Sequence, residues 1–176
     1  TERLSSMVEE LLDFSRMQSG GFTLKLDKLD ILAEVEDVIL MFTERAKREG
    51  IELIYSEPDF FAVVNGDKNR LRQVFINVID NALKYSREGD TVHLTLERQG
   101  RFIRMAVENG VENMDKDVVD NMFDRFYRAD RARASDGGGH GIGLSIAQAV
   151  VSAHRGKISA AVNAGRLTMT VLLPAD

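Results

Sequence analysis

Hydrophobic residues recur along this chain with two periods, one helical and one of strands. Leu4, Met7, Leu11 and Phe14 step by three, four and three residues, and Val8 and Leu12 widen the stripe. That is an a/d seam on an amphipathic helix. It lasts about two heptads, fewer than the ~3–4 that mark a sustained coiled coil, and Gly20-Gly21 stops it. The segment reads as a peripheral helix on the domain or as one helix of a truncated hairpin or dimer. Residues 22–29 alternate weakly, as a short strand does. Asp30 is placed to cap a helix running to about Glu49, with Gly50 beyond it. Strands are expected over 51–55 and 61–64, with a turn at Asn65-Gly66. Asp67 caps a helix over 68–85. Strands follow at 91–98 and 101–108, joined by Gln99-Gly100, then a short helix at 115–122.

Residues 127–141 are polar, basic and Gly-rich, with no apolar period. A structureless stretch of that length in a compact domain tends to be functional. A helix over 142–154, ended by Gly156, and strands at 157–163 and 167–173 complete the pattern. The strands lie mostly in neighbouring hairpins. The expected fold class is α/β (α+β): a two-layer sandwich, a mixed β-sheet covered by helices on one face, with an extra N-terminal helix.

Composition narrows the function. The chain has 176 residues, 44% hydrophobic and 29% charged, which suits one packed domain with a little left over. A net charge of −5 argues against a general nucleic-acid binder. There is no cysteine, so no disulfide or thiolate metal site is possible, and a reducing compartment fits. No apolar run approaches the ~20 residues of a membrane span. No signal peptide is visible. The chain opens at Thr1 rather than Met, and it is expected to be a piece of a longer protein.

The helix "LRQVFINVIDNALKYS" carries the first chemical signal. Leu71, Val74, Val78 and Ala82 form its apolar stripe. Asn77, Asn81, Lys84 and Tyr85, at i, i+4, i+7 and i+8, share another face. Two mid-helix Asn cost about 0.5 kcal/mol each relative to Ala. Amides turned one way bind phosphate oxygens or, through their carbonyl oxygen, a hard cation; a merely polar face is the other reading. The second signal is "GGGHGIGLS", residues 137–145. It lacks the Gly-Lys of a P-loop, and its G-x-G-x-G spacing is not the dinucleotide G-x-G-x-x-G.

Taken together, "NVIDNALKY" resembles the N box of the sensor histidine kinases, "MFDRFYRAD" their F box, and "GGHGIGLSI" their G2 box. The boxes occur in the family's order, and the resemblance covers nearly the whole chain. It implies the Bergerat fold shared with DNA gyrase and ATP-dependent chaperones, with ATP and Mg2+ as cofactors. By this resemblance Asn77 and Asn81 hold magnesium and the phosphates, Lys84 reaches the phosphates, and Tyr85 packs beside the adenine and ribose. Phe123, Arg125, Phe126 and Arg128 belong to the F box, with Arg128 as phosphate or transition-state contact. Gly139, His140, Gly141 and Gly143 form the lid hinge, and Leu144 opens a helix whose N-terminus favours anions. Thr168 matches a strand position near the adenine. Asn77, Lys84 and Arg128 are the expected catalytic residues. Hydrolytic relatives carry Glu where this chain has Asn77. An amide takes no proton from water near neutral pH, so slow hydrolysis is expected.

Two departures qualify the resemblance. The G1 box reads roughly Asp-x-Gly-x-Gly, and the matching stretch here is "ENGVENM". Asn109 takes the Asp position, with Val111 and Asn113 where glycines are usual; a one-residue shift uses Glu108 and Gly110 instead. Asn accepts or donates, so weaker discrimination against guanine is expected at Asn109. The phosphoacceptor box is missing. The three histidines, His93, His140 and His154, read as a strand surface residue, a lid residue and a helix C-terminal cation. The opening helix looks like the tail of the second dimerisation helix. Residues 1–21 are therefore expected to be that remnant and 22–176 the catalytic domain, cytoplasmic and belonging to a membrane-anchored kinase.

The expected partners are ATP, a response-regulator receiver domain and the kinase's own dimerisation and phosphotransfer domain, with no nucleic acid. The expected oligomeric state is a monomer or weak homodimer. Two other functions compete: a non-catalytic nucleotide-binding or docking module, and an anti-sigma-factor kinase of the same fold that phosphorylates Ser.

Overall fold

The computed structural model describes residues 23–112, 114, 116–124 and 143–176, together with Val8, Leu11, Leu12 and Ser15. Those four are helical, and Leu11 packs against the core. The elements run β1 (Asp27–Asp30), α1 (Ile31–Arg48), β2 (Glu52–Tyr55), β3 (Val63–Gly66) and α2 (Lys68–Tyr85). They continue with β4 (Thr91–Gln99), β5 (Phe102–Gly110), α3 (Lys116–Asn121), α4 (Gly143–Ala153), β6 (Lys157–Asn163) and β7 (Arg166–Pro174).

Five strands form one mixed sheet in the order β2-β4-β5-β7-β6, parallel only between β2 and β4. Burial alternates along β4 and β7. Val92, Leu94 and Leu96 of β4 and Leu167, Met169, Val171 and Leu173 of β7 are buried, while their neighbours are not. One face is therefore covered and one open, as period-2 patterning requires. Helices α1, α2 and α4 supply the cover, with Val35, Val38, Phe75, Ile79, Ile146 and Val150 fully enclosed.

The helix ends follow the sequence signals. Asp30 caps α1 by accepting from the N–H groups of Leu32 and Ala33. Gly50 takes the left-handed conformation beyond it, with φ +72°. Asp67 caps α2 by accepting from Arg70 N–H at 3.2 Å and also accepts from Lys25 N–H at 2.9 Å. Burial alone raises the Asp67 carboxyl, but these backbone N–H groups outweigh it and hold the group below the usual carboxylate range. A depressed folded value contributes stability above the unfolded value, about 3.9, and that contribution is lost as pH falls through the folded value. Asp67→Ala is expected to lower stability by about 1–2 kcal/mol at pH 7. The gap to the parent protein should narrow below pH ~4 in denaturant titrations; a gap constant with pH would contradict this.

Two local expectations change. Asn65-Gly66 is no turn: it lies in β3 and pairs with Lys28 and Asp27 of β1 in a separate two-stranded antiparallel sheet. Gly66 is needed there for space, because a Cβ would stand 2.6 Å from Leu71 Cδ1 and 3.2 Å from the His154 ring. At the end of α4 the left-handed residue is Arg155, φ 60°, not Gly156. Arg155 N–H bonds Ser152 C=O at 3.0 Å and Gly156 N–H bonds Val151 C=O at 2.9 Å, the paired bonds of a Schellman cap.

Candidate nucleotide site

Helix α2 carries the site's first residues because its two faces differ. Leu71, Val74, Phe75, Val78 and Ile79 are buried, which leaves Asn77 and Asn81 half-buried on another side. Asn77 Nδ2 donates to the Gly143 carbonyl at 2.9 Å. This joins the middle of α2 to the first residue of α4, 66 positions away in sequence. A Cβ on Gly143 would touch the Asn77 amide at 3.4 Å, so the two helices meet closely there. The Asn77 carbonyl oxygen is left as an acceptor. Asn81, one turn on, makes no side-chain hydrogen bond to the described residues.

Lys84 does not project freely from this face. Its ammonium sits 3.0 Å from Asp80, with 13% of the side chain exposed. Asp80 also holds the Arg45 guanidinium of α1 at 2.5 Å, and Arg45 reaches Glu49 at 3.2 Å. These carboxylates outweigh the effect of burial, which acts the other way, and raise the Arg45 guanidinium above its ordinary value. Asp80 therefore shares its charge between two cations and fixes where Lys84 stands. Sequence reasoning missed this bridge. The i, i+4 spacing of Asp80 and Lys84 was legible, but Arg45 lies 35 positions away with no local signal. Tyr85, 8% exposed, joins the core cluster.

Asn109 lies at the end of β5 and is 1% exposed. Its Nδ2 donates to the Gly110 carbonyl at 3.0 Å, and that bond leaves Oδ1 as an acceptor. The strand register decides its neighbours. Asn109 pairs with Val92 and Leu167, so these three share the helix-covered face. Thr168 pairs instead with Glu108 and Ala161, on the open face. The structure thus separates Thr168 from Asn109, and Leu167 is the β7 residue beside it. A one-residue step along a strand reverses the face.

The reshaped turn after β5 is held by Val111 N–H to Gly165 C=O at 2.9 Å and by Arg166, whose Nε donates to Glu108 at 2.8 Å. Leu144 is half-buried against the core behind Gly143. Asn113, Arg125, Phe126, Arg128, Gly139, His140 and Gly141 lie outside the described residues.

His154 is no helix-terminal cation. It is 8% exposed, and its Nε2 faces the backbone N–H of Asp67 at 3.0 Å. Only an unprotonated Nε2 accepts from that donor, so Nδ1 carries the proton and donates to Val150 C=O at 2.8 Å. His93 is exposed on the open face as expected.

The family profile described as histidine kinase-, DNA gyrase B-, and HSP90-like ATPase matches residues 66–176, more than half of the chain. The chain belongs to this ATPase family. It is 35% identical to the sensor histidine kinase WalK of Bacillus subtilis, over 99% of the chain and 29% of WalK. It is 30% identical to the signal transduction histidine-protein kinase BaeS of Escherichia coli, over 98% of the chain and 37% of BaeS. It thus spans well under half the length of these relatives. Among solved structures, the histidine kinase AdeS of Acinetobacter baumannii shares the fold, with TM-score 0.80 and 23% identity over 99% of this chain and 80% of that one. Full-length ShkA in complex with AMPPNP superposes with TM-score 0.83 and 26% identity, over 98% of this chain and 36% of ShkA. The family membership establishes an ATP-binding domain, and the relatives it resembles at 30–35% identity are sensor histidine kinases. No helix among the described residues is long and apolar enough to cross a membrane.

Proposed function

We propose that this domain supplies the γ-phosphoryl group of ATP to a histidine on the dimerisation domain of its own sensor kinase, for relay to a response-regulator Asp. The observation that carries this reading is the clasp between Asn77 and Gly143. It sets the amide face of α2 against the start of the helix that follows the glycine-rich segment. ShkA, solved with AMPPNP, is the structural relative that supports a nucleotide there.

The residues fit a magnesium nucleotide. Asn81 and the remaining Asn77 oxygen are neutral, hard donors. No cluster of three or more His, Cys, Asp or Glu suited to a metal occurs among the described residues. Magnesium in such a site is held jointly with substrate phosphates rather than by a protein cage. Bound ATP supplies the phosphoryl group, and magnesium offsets the charge on its oxygens. The chain's own part is positioning and charge. Lys84, placed by Asp80, adds a cation one turn beyond Asn81, Arg128 is assigned to the transferring phosphoryl group, and α4 presents a helix N-terminus to anions. Asn77 stands where hydrolytic relatives hold a general base, and its amide is spent on Gly143, so water is not activated.

Residues 1–21 are assigned to the dimerisation domain, in a kinase anchored to a membrane. The non-catalytic reading is disfavoured because Asn77, Asn81 and Lys84 are all retained on one helix. The test is calorimetric titration with AMPPNP, with and without Mg2+, followed by GTP competition. Saturable binding that needs Mg2+ is expected, and magnesium alone should not bind. Asn109 keeps Oδ1 as an acceptor and a second N–H as a donor, so GTP should compete more weakly than ATP but less weakly than against an Asp at this position. Absence of nucleotide binding would overturn the proposal.

A further inference from the structure

Resting on the nucleotide reading above, we propose that His154 is a positioning residue for the site, acting through α4 on the contact between Gly143 and Asn77. Two polar ties join α2 to α4. At one, Asn77 Nδ2 holds Gly143 C=O. At the other, Asp67 N–H is held by His154 Nε2. The start of α2 thus meets the end of α4, and the middle of α2 meets the start of α4, so the helices run antiparallel. Asp67 to Asn77 spans ten residues and Gly143 to His154 eleven, about 15 and 16 Å at ~1.5 Å per residue. The two ties therefore sit at matching separations along both helices.

The packing between them is apolar, with Ile146, Ala147, Val150 and Val151 buried in the same cluster as Leu71, Val74, Phe75 and Val78. Such surfaces resist separation, but they specify axial register less sharply than directional hydrogen bonds do. His154 is itself fixed. Its Nδ1–H is bound to Val150 C=O within α4, and the cap at Arg155 and Gly156 holds the backbone around it. Gly66, with no side chain, lets the ring approach β3 closely enough to reach Asp67. A buried imidazole with both nitrogens spent on backbone groups of two elements is more than a surface cation. It locks α4 to the N-terminal end of α2, and the lock sets where the other end of α4 meets Asn77.

The test compares His154→Gln, which keeps an acceptor at the distance of Nε2, with His154→Asn, which keeps the reach to Val150 but not to Asp67. In nucleotide-free protein, the Gly143 backbone and Asn77 side-chain amide resonances should move in His154→Asn and stay in His154→Gln. Affinity for AMPPNP with Mg2+, measured where both variants are fully folded, should fall about tenfold in His154→Asn and stay within about threefold in His154→Gln. A lower melting temperature in His154→Asn with unmoved resonances and unchanged affinity would reduce His154 to a stabilising residue and overturn the proposal. In the parent protein, a 15N imidazole signature with the proton on Nε2 would overturn it without any variant. Loss of nucleotide binding in the parent itself would overturn the function proposed above and, with it, the effect on affinity. The Gly143 and Asn77 resonances would still report on the positioning.

Discussion

Gly156→Ala is expected to lose about 3 kcal/mol of stability, the largest loss expected from Gly→Ala among the described glycines. The added Cβ would stand well inside 3.0 Å of the Leu172 carbonyl oxygen and 3.0 Å from Val151 Cγ1. The first of these neighbours is backbone in β7, which pairs with both β5 and β6 and cannot yield without disturbing two ladders. The second is a fully buried side chain. No flexible group absorbs the overlap, so α4 must lift from the sheet. In a domain of this size the loss corresponds to a melting temperature lower by about 6–12 °C. Gly100→Ala is the control. Gly100 has φ +60° with nothing within 4 Å of its would-be Cβ, so only the left-handed conformation is penalised, at about 1 kcal/mol. A loss at Gly156 no larger than that at Gly100 in thermal melts would show that the close approach to β7 is relieved at little cost.

The same contrast explains what was legible in the sequence. Features that depend on a few adjacent residues could be read directly. Asp30 and Asp67 cap their helices, Gly50 and Gly100 take left-handed conformations, and β4 and β7 alternate by twos. Features that depend on what the fold brings close could not. Asn65-Gly66 has a turn's composition, yet its glycine serves the approach of Leu71 and His154. Gly156 was legible as a helix stop, but Arg155 takes the left-handed conformation and Gly156 provides clearance from a strand 16 positions later. Thr168 lies one strand position from Leu167 and so on the face opposite Asn109, which was not legible because register is set by pairing with β5 and not by β7 itself. At the site, the amide face of α2 was visible from its spacing. The bonds from Asn77 to Gly143, Arg45 to Asp80 and His154 to Asp67 span 66, 35 and 87 positions and carry no local trace.

Those bonds also divide the two asparagines that the sequence placed side by side. Asn81→Ala is expected to abolish magnesium-dependent nucleotide binding and phosphoryl transfer, by a factor of about 100 or more, with no loss of stability. Asn81 makes no side-chain hydrogen bond to the described residues, and Ala is a better helix former than Asn by about 0.5 kcal/mol. The melting temperature should therefore hold or rise slightly while function disappears. Asn77→Ala has a different signature. It removes the donor to Gly143 C=O and so gives up about 1 kcal/mol of hydrogen bonding, partly offset by the same gain in helix propensity. It also frees the start of α4, so binding falls through a displaced helix N-terminus as well as a lost ligand. Thermal melts paired with AMPPNP titrations separate the cases: Asn81→Ala stable and unable to bind, Asn77→Ala less stable and weak. If Asn81→Ala bound nucleotide as the parent does, the amide face of α2 would be polar surface, and the magnesium site would have to be built from other residues. If Asn77→Ala lost binding without losing stability, the clasp to Gly143 would not hold α4 in place, and Asn77 would act on the ligand alone.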